Sequence, residues 1–521
     1  MNPATALQTG VRLLWERSAS VIPVYLLANG LYGIARVPLL LAGALALWLL
    51  LVGGRLDPLV DVLRKVESGA GPGDPDPTDL EAVFPGLSDA LTNLLTPEMV
   101  ALVAVGGVLS VALALVVSAI GNAAAIGAIV GVLRDDDGVR AAVDGARRHW
   151  RAFLVVRLLL FATLGVVIVP IVAVVVAVAG YSGPIDPAAA VAGGPPGAAT
   201  VLGIVAAVFG LLVTLLVVVV ILVLFAFADQ AIVVDDVGAF AAIGRSIRFP
   251  FRRPIAVLGY VAVAIAALVV SGTVGGAAAA AGTARVSALL GVVLLPPVVD
   301  GFKTSLYAET SLPSLPESER TPIGERLRTA FGSGLGALGG FVRSHPAAHL
   351  ASLAVLLAGG AVGWTATGAL GVTFPASGDF TGIFGQVPVG PFANIAVNNW
   401  LVATDLAYSG LAAGIPAVVS LAFNGLLVGA VGGVFDPVAF VVLVAPHGVV
   451  EVPALVVGGA LGLHLGGVAV GTARGRHNTD ALAAAIRRAY RVLLGLAPVF
   501  VLAAFIEAFL TPAIAGVVIG G

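Results

Sequence analysis

The sequence from Pro437 to Gly471 reads PVAFVVLVAPHGVVEVPALVVGGALGLHLGGVAVG and contains no Asp, Lys or Arg. A membrane-spanning helix needs about 20 consecutive, mostly apolar residues, and this largely apolar stretch is 35 residues long. The whole chain has the same character, because 59% of its 521 residues are hydrophobic and only 11% are charged. Soluble domains carry about 25% charged residues. With a mean hydropathy of +1.07, the sequence predicts an all-α, polytopic integral membrane protein.

Composition excludes several classes of function. The chain has no cysteine, so disulfides, thiolate metal sites and cysteine nucleophiles are excluded. Its net charge is -2 without a basic block, which gives no indication of nucleic-acid binding. No His-Glu-x-x-His run and no phosphate-binding glycine loop followed by Lys occurs. We therefore predict no cofactor. Few lysines among the basic residues, together with abundant Ala, Val, Gly and Asp, are typical of a GC-rich genome such as that of a halophilic archaeon.

Further apolar stretches predict the other membrane helices. They are Val37–Gly54, Met99–Gly131, Ala152–Gly180, Thr200–Ala228, Ile255–Ala280, Val286–Val299, Ala348–Gly371, Leu411–Val434 and Val492–Val517. The shorter stretch Val21–Ala35 is predicted to be interfacial or half-inserted, because Arg36 and Pro38 separate it from the next one.

The distribution of basic residues predicts the orientation in the cell membrane. Four basic segments, 134–157, 245–253, 303–343 and 474–491, are predicted to be cytoplasmic. The segments Glu67–Glu98 and Tyr181–Thr200 contain neither Lys nor Arg and are predicted to lie outside. With about eleven passes, the N-terminus is then cytoplasmic and the C-terminus outside.

The same rule makes a prediction about the stretch Pro437–Gly471. Arg343 and Arg474 must both face the cytoplasm, so an even number of passes must separate them, yet only three apolar stretches lie between them. A single helix over this stretch would be about 52 Å long, whereas the hydrocarbon core is about 30 Å thick. We therefore predict a broken helix at Pro446–Gly448, with Glu451 near the outer face.

Two motifs in the last third of the chain resemble a known family. The run Pro446-His447-Gly448-Val449-Val450-Glu451-Val452-Pro453-Ala454 and the segment Ala503–Pro512 resemble the signature and last helix of the stage II sporulation protein M family, and Asn398 and Asn424 fit its spacing. The resemblance covers roughly 347–521. It implies a membrane domain, a role as a scaffold for partner proteins, and importance of Pro446, His447, Gly448, Glu451 and Glu507.

These polar residues leave several roles open. His447 and Glu451 are four residues apart and would share one face of a continuous helix. They could cap a helix break, bind an ion or proton, or fix a partner surface. Glu507 is expected to bond to Asn424 or a backbone carbonyl, the alternative being a carboxylate pair with Glu451. No metal ligands are assigned, because three are usual in a catalytic zinc site and His464 lies about 20 Å along the helix from Glu451.

The first part of the chain contains an internal repeat. Asp135-Asp136-Asp137-Gly138 and Asp235-Asp236-Val237-Gly238 each follow one apolar stretch and precede the next. Each is predicted to start an amphipathic helix on the cytoplasmic surface, with Asp near its start and Arg near its end, as the helix dipole favours. This plan, over 133–260, resembles membrane domains attached to some glycerophosphodiester phosphodiesterases.

We therefore predict a membrane domain over 1–302, a cytoplasmic linker over 303–346 and a stage II sporulation protein M-like membrane domain over 347–521. The leading functional hypothesis is a non-enzymatic membrane scaffold or accessory subunit that contacts the lipid bilayer and other membrane proteins. The alternative is a permease for an ion or small solute that uses His447, Glu451 and Glu507. An intramembrane enzyme is the third option.

Overall fold

The computed structural model describes residues 1–62, 88, 92–181, 198–313, 322–373 and 388–519, and these are helical without a β-strand. The helices of the first part are α1 (Pro3–Glu16), α2 (Ser18–Gly30), α3 (Tyr32–Val52), α4 (Pro97–Leu133), α5 (Gly138–Tyr181), α6 (Ala198–Phe225), α7 (Ala228–Val234), α8 (Ala239–Arg252), α9 (Pro254–Ala280), α10 (Ala284–Val293) and α11 (Leu295–Ala308). Those of the second part are α12 (Ile323–Ser344), α13 (Pro346–Gly368), α14 (Val389–Ser409), α15 (Ile415–Val434), α16 (Pro437–Ala473), α17 (Thr479–Phe505) and α18 (Thr511–Val518).

Ten helical stretches among the described residues are long and apolar enough to cross a membrane, which confirms the predicted fold class. One sequence prediction needs correction. The stretch Val21–Ala35 is not a separate interfacial segment, because α2 and α3 together form the first of the ten, Ser18–Val52. Hydropathy failed here because α2 is largely buried in the protein, so that Arg36 does not have to interrupt the membrane crossing.

The four basic segments meet at one end of the helices, which we call the charged face. Arg140 pairs with Asp480 at 3.2 Å, joining the first of these segments to the last. Arg253 pairs with Glu309, joining the second to the third. His149 of the first segment lies 3.6 Å from Asp236, whose neighbour Asp235 pairs with Arg245 of the second segment. The four segments therefore lie on the same side, as the charge distribution predicts. That this side is the cytoplasm stays a prediction. The predicted outer segments Glu67–Glu98 and Tyr181–Thr200 fall largely outside the described residues.

The internal repeat has a structural counterpart at the charged face. Asp135 and Asp236, one in each copy, have φ angles of 62° and 52°, in the left-handed region that Asp tolerates better than most residues. Asp137 caps α5 by accepting from the backbone N–H groups of Val139 and Arg140. The copies then differ, because α5 runs on into the membrane span whereas α8 is a separate helix.

The second part is organised by close glycine contacts between helices. A Cβ built on Gly425 would overlap the carbonyl oxygen of Leu356, and one built on Gly429 would overlap that of Gly360. The residue numbers of the contacting positions increase together along the two helices, so α13 and α15 run parallel. Two consecutive spans can be parallel only if the chain between them returns across the membrane, and that return is α14.

Glycines of α16 show the same relation to α14. Gly458 packs on Ala403, and Gly462 packs on the carbonyl oxygen of Leu406. These helices therefore run parallel, whereas α16 runs antiparallel to α15, since Gly462 also approaches Ala417. Four passes thus separate Arg343 from Arg474. The glycine pairs at 425/429, 458/462 and 462/466 thus allow the close packing of these helices.

This arrangement corrects the predicted broken helix. Helix α16 is continuous through Pro446, Gly448 and Pro453, and α14 provides the pass that the break was meant to supply. Proline is tolerated inside membrane helices because neighbouring groups can satisfy the freed backbone carbonyl there. With α14 added to the ten apolar stretches, the described helices make eleven passes, and the chain ends on the face opposite the charged face.

The predicted linker 303–346 is mostly helical where the structure describes it. Its first residues belong to α11, and its last form α12, which packs on α17 through Gly334 against Gly495. Residues 314–321 lie outside the described residues. The three-domain division stays a prediction.

Two adjacent glycines of α16 allow a matched test of the packing. A Cβ on Gly466 would overlap backbone atoms of Gly410 and Gly414, whereas one on Gly467 would meet nothing within 4 Å. We expect Gly466→Leu to lower the free energy of unfolding by about 1–3 kcal/mol or more. Gly467→Leu should change it by about 0.5 kcal/mol or less. Reversible denaturation in mixed micelles measures both, and equal losses would contradict the close packing of α14 on α16.

Candidate functional site

Three side chains from distant parts of the sequence converge on the half of the membrane opposite the charged face. His447 and Glu451 lie one turn apart on α16, and Glu507 follows the end of α17. One ligand-type atom from each lies within 4.8 Å of the others. Glu507 was expected to bond to Asn424 or a backbone carbonyl, with a carboxylate pair with Glu451 as the alternative. The structure has the alternative, since the two carboxylates lie together with the imidazole.

A cavity of about 390 Å³ surrounds the three side chains. Asn394, Ile395, Asn398 and Asn399 of α14 line one side, and Arg285 at the start of α10 lies at its edge. All three converging side chains are partly exposed. The site is therefore accessible and largely polar, at a depth where polar groups are otherwise rare.

A π-helical turn presents Glu507 to the cavity. Residues Ile506–Leu510 form this turn between α17 and α18, and the hydroxyl of Thr511 donates to the carbonyl oxygen of Ile506. Phe505 and Phe509 stack on each other within the turn, and both meet Phe392 of α14 edge-on. Inserted π turns are frequent at functional sites, and here the aromatic contacts fix the turn against the helix that lines the cavity.

The cluster lacks internal charge compensation. Neither Glu451 nor Glu507 accepts a hydrogen bond or forms an ion pair within the described part of the chain, and Nδ1 of His447 is buried without a partner. Two carboxylates at this separation repel each other by about 3 kcal/mol or more at an effective dielectric constant of about 20. A bound cation, or protons, would relieve this repulsion.

The other residues of the predicted site separate into two groups. Asn398 lines the cavity and donates to Asn399 at 3.2 Å. Asn424 does not, because its side chain donates to the Ser420 carbonyl oxygen of its own helix at 2.8 Å. The expected bond between Glu507 and Asn424 is therefore absent from the described contacts. Pro446 and Gly448 lie inside continuous helix, and a Cβ on Gly448 would meet only Val444 at an ordinary 3.7 Å.

Asn394 and Arg285 belong to the site but were not predicted from the sequence. Asn394 accepts from the backbone N–H of Arg285 at 2.7 Å and donates to the Gly282 carbonyl oxygen. These bonds attach the turn between α9 and α10 to α14, so the first part of the chain completes the edge of a cavity in the second part. The asparagine-rich run from Asn394 to Asn399 was the only available signal. The approach of Arg285 had none, since 109 residues separate it from Asn394.

Comparisons with known families agree with this division. A model of the Stage II sporulation protein M family matches residues 352–512, and a model described as Domain of unknown function (DUF7847) matches residues 23–313. No curated protein and no solved structure matches the chain. The likeness of 133–260 to membrane domains of glycerophosphodiester phosphodiesterases stays a prediction. The second match covers more than half of the chain, which therefore belongs to the DUF7847 family and carries a Stage II sporulation protein M domain in its C-terminal third.

Proposed function

We propose that this membrane protein is a permease for a divalent transition-metal cation and that His447, Glu451 and Glu507 are its binding site. The convergence of three ligand atoms within 4.8 Å in an accessible cavity carries the proposal. Sites that exchange their ligand usually combine three protein ligands with an open position, whereas structural sites have four. An imidazole with two carboxylates suits Zn²⁺, Mn²⁺ or Fe²⁺.

The packing below the cavity favours a state that is open on one side only. From Ala454 to Leu461, α16 is largely buried, and Gly458 packs directly on α14. This close packing leaves little room for an ion to pass along the interface between the site and the charged face. A permease in this state would bind its ion from the outer side and release it after a rearrangement, as alternating access requires.

The same packing favours a second candidate, the scaffold that the stage II sporulation protein M family implies. A scaffold would hold the ion, or protons, to pin α16 against α17 and would not transport it. Hydrolysis has less support, because the rest of the cavity lining is Asn394, Ile395, Asn398, Asn399 and Arg285. None of these is a good general base at neutral pH.

Uptake into proteoliposomes tests the proposal. We expect the wild-type protein to carry Zn²⁺ or Mn²⁺ to an enclosed fluorescent chelator. Glu451→Gln should reduce uptake to the level of protein-free vesicles and weaken binding by about 100-fold or more, since even changes around a ligand cost 10–100-fold. Asn424→Ala is the matched control, because Asn424 is polar, lies at membrane depth and bonds only within its own helix.

Calorimetric binding on the same samples separates the candidates. If the protein binds the cation but does not take it up, the permease proposal is wrong and the scaffold with a structural ion is supported. Wild-type protein that neither binds nor transports these cations would refute the metal site itself.

A further inference from the structure

A second polar cluster lies inside the first part of the chain, far from the site described above. The hydroxyl of Tyr25 on α2 donates to Oδ2 of Asp300 on α11 at 2.9 Å. Nearby, Arg157 on α5 pairs with Asp229 on α7 at 3.2 Å. The cluster lies where the membrane spans adjoin the charged face, since Arg157 ends a basic segment and Asp300 shortly precedes Lys303. Buried ionisable groups are costly unless they are paired, hydrated or used, and this cluster belongs to a domain for which the matching family model names no function.

A cavity of about 150 Å³ adjoins this cluster between α2, α4 and the junction of α10 and α11. Its polar lining is Tyr25, Asn29, Tyr32, Ser118 and Asn122. We call it the N-terminal cavity. Because a water molecule occupies about 30 Å³ in the liquid, this volume accommodates about five. Tyr25 lines the cavity and also donates its hydroxyl to Asp300, so it connects the cavity to the carboxylate.

Unpartnered polar atoms continue beyond Asp300 towards the charged face. Among the described residues, no hydrogen-bond partner is found for either side-chain amide atom of Gln230, for Oγ1 of Thr304 or for Oγ of Ser305, although all three residues are fully buried. Buried polar atoms are nearly always bonded to protein or ordered water. Water at these positions would supply the missing hydrogen bonds, whereas a purely apolar core would contain no such atoms.

Asp300 is the group in this cluster that can change its charge at the least cost. The groups that act on it electrostatically are Tyr25 from α2, Arg157 from α5, Asp229 from α7 and Lys303 from its own helix. Arg157 is already paired with Asp229, and the Lys303 ammonium lies over the Tyr260 ring at 5.7 Å. Asp300 forms no ion pair in the described part of the chain, and its described hydrogen bond comes from a neutral hydroxyl.

We propose that Asp300 is a proton-binding carboxylate supplied through Tyr25 from water in the N-terminal cavity. A hydronium ion in the cavity gives its proton to the Tyr25 oxygen while the Tyr25 hydroxyl gives its own proton to Oδ2 of Asp300. The hydronium becomes water, the tyrosine is restored, and the carboxylate becomes a neutral carboxylic acid. This step does not depend on the metal site, so its test is independent of the test of the proposed permease.

Infrared difference spectroscopy of the full chain in lipid nanodiscs tests the inference. We expect the wild-type protein to develop the carbonyl-stretch band of a protonated carboxylic acid as the pH is lowered. Asp300→Asn should lose this band, whereas Asn424→Ala, which lies outside both polar sites and removes no carboxyl group, should keep it. In deuterium oxide, Tyr25→Phe should retain the band but exchange its proton more slowly, because the hydroxyl relay is gone.

A second variant keeps the test decisive if Asp300→Asn does not fold. With ¹³C-labelled aspartate in the medium, Asp300→Glu keeps a carboxyl group at the position but removes the isotope shift of its band. A wild-type band that survives unchanged in both variants would assign the proton to another group and overturn the proposal. Unchanged exchange in Tyr25→Phe would overturn the role of Tyr25.

Discussion

Arg36→Met is expected to destabilise the protein by about 3 kcal/mol, and Arg36→Met combined with Asp405→Leu to recover most of that loss. Arg36 on α3 contacts Oδ2 of Asp405 on α14 at 2.7 Å. The other carboxylate oxygen of Asp405 is buried and has no partner among the residues that the structure describes. Removing only the arginine leaves an unpaired, mostly buried carboxylate, which typically costs 3–5 kcal/mol. The lower end applies because the Arg36 side chain is 64% exposed.

The double variant separates pairing from packing. A buried ion pair can often be replaced by apolar residues of similar volume without loss of stability, so the two changes together should be much less harmful than their sum. Unfolding of all four proteins in mixed micelles gives the coupling energy. Additive losses would mean that Arg36 acts through its aliphatic stem and that the ion pair does not hold α3 against α14.

This ion pair also explains why α14 escaped prediction from the sequence. Asn394, Asn398 and Asp405 lower its hydropathy, so no apolar stretch marks it. In the structure these residues face the cavity, the α9–α10 turn and Arg36. Hydropathy describes what a helix would meet in lipid, and it cannot identify a membrane helix whose polar residues face protein.

The wrong prediction of a broken helix followed from this omission. With one pass missing, the parity between Arg343 and Arg474 could be satisfied only by dividing α16 at its prolines. The parity argument itself was sound, since four passes do separate the two arginines. What the sequence could not reveal was which segment supplies the fourth.

The candidate site was predictable only along a single helix. The spacing of His447 and Glu451 predicts that they share one face of a helix, and in the structure both lie on the continuous helix α16, one turn apart. The approach of Glu507 depends on α17 packing beside α16 and on a π turn at Ile506–Leu510, neither of which leaves a local pattern. Convergence of residues from separate helices is a tertiary property, and for that reason the metal-ligand set could not be assigned from spacing.

Asn398→Cys is expected to react completely with a membrane-impermeant, charged thiol reagent applied to intact cells. The natural chain has no cysteine, so each introduced thiol reports on one position. Asn398 lines a cavity of about 390 Å³ near the face opposite the charged face. With the predicted orientation, that cavity is open to the outside. Arg476→Cys, exposed on the charged face, should react only after the cells are permeabilised.

Two controls test whether the labelling reports on the cavity and on ion binding in it. Ala403→Cys should stay unreactive on both sides, because Ala403 is fully buried against Gly458. Zn²⁺ added before the reagent should protect Asn398→Cys, and adding Glu451→Gln should abolish that protection, since the ion then loses one of three ligands. The reverse labelling pattern would mean that the predicted topology is inverted. Labelling of Asn398→Cys that Zn²⁺ does not prevent would support the open cavity but refute ion binding in it. The orientation of the chain and the chemistry of the cavity are thus decided by separate readouts of one experiment.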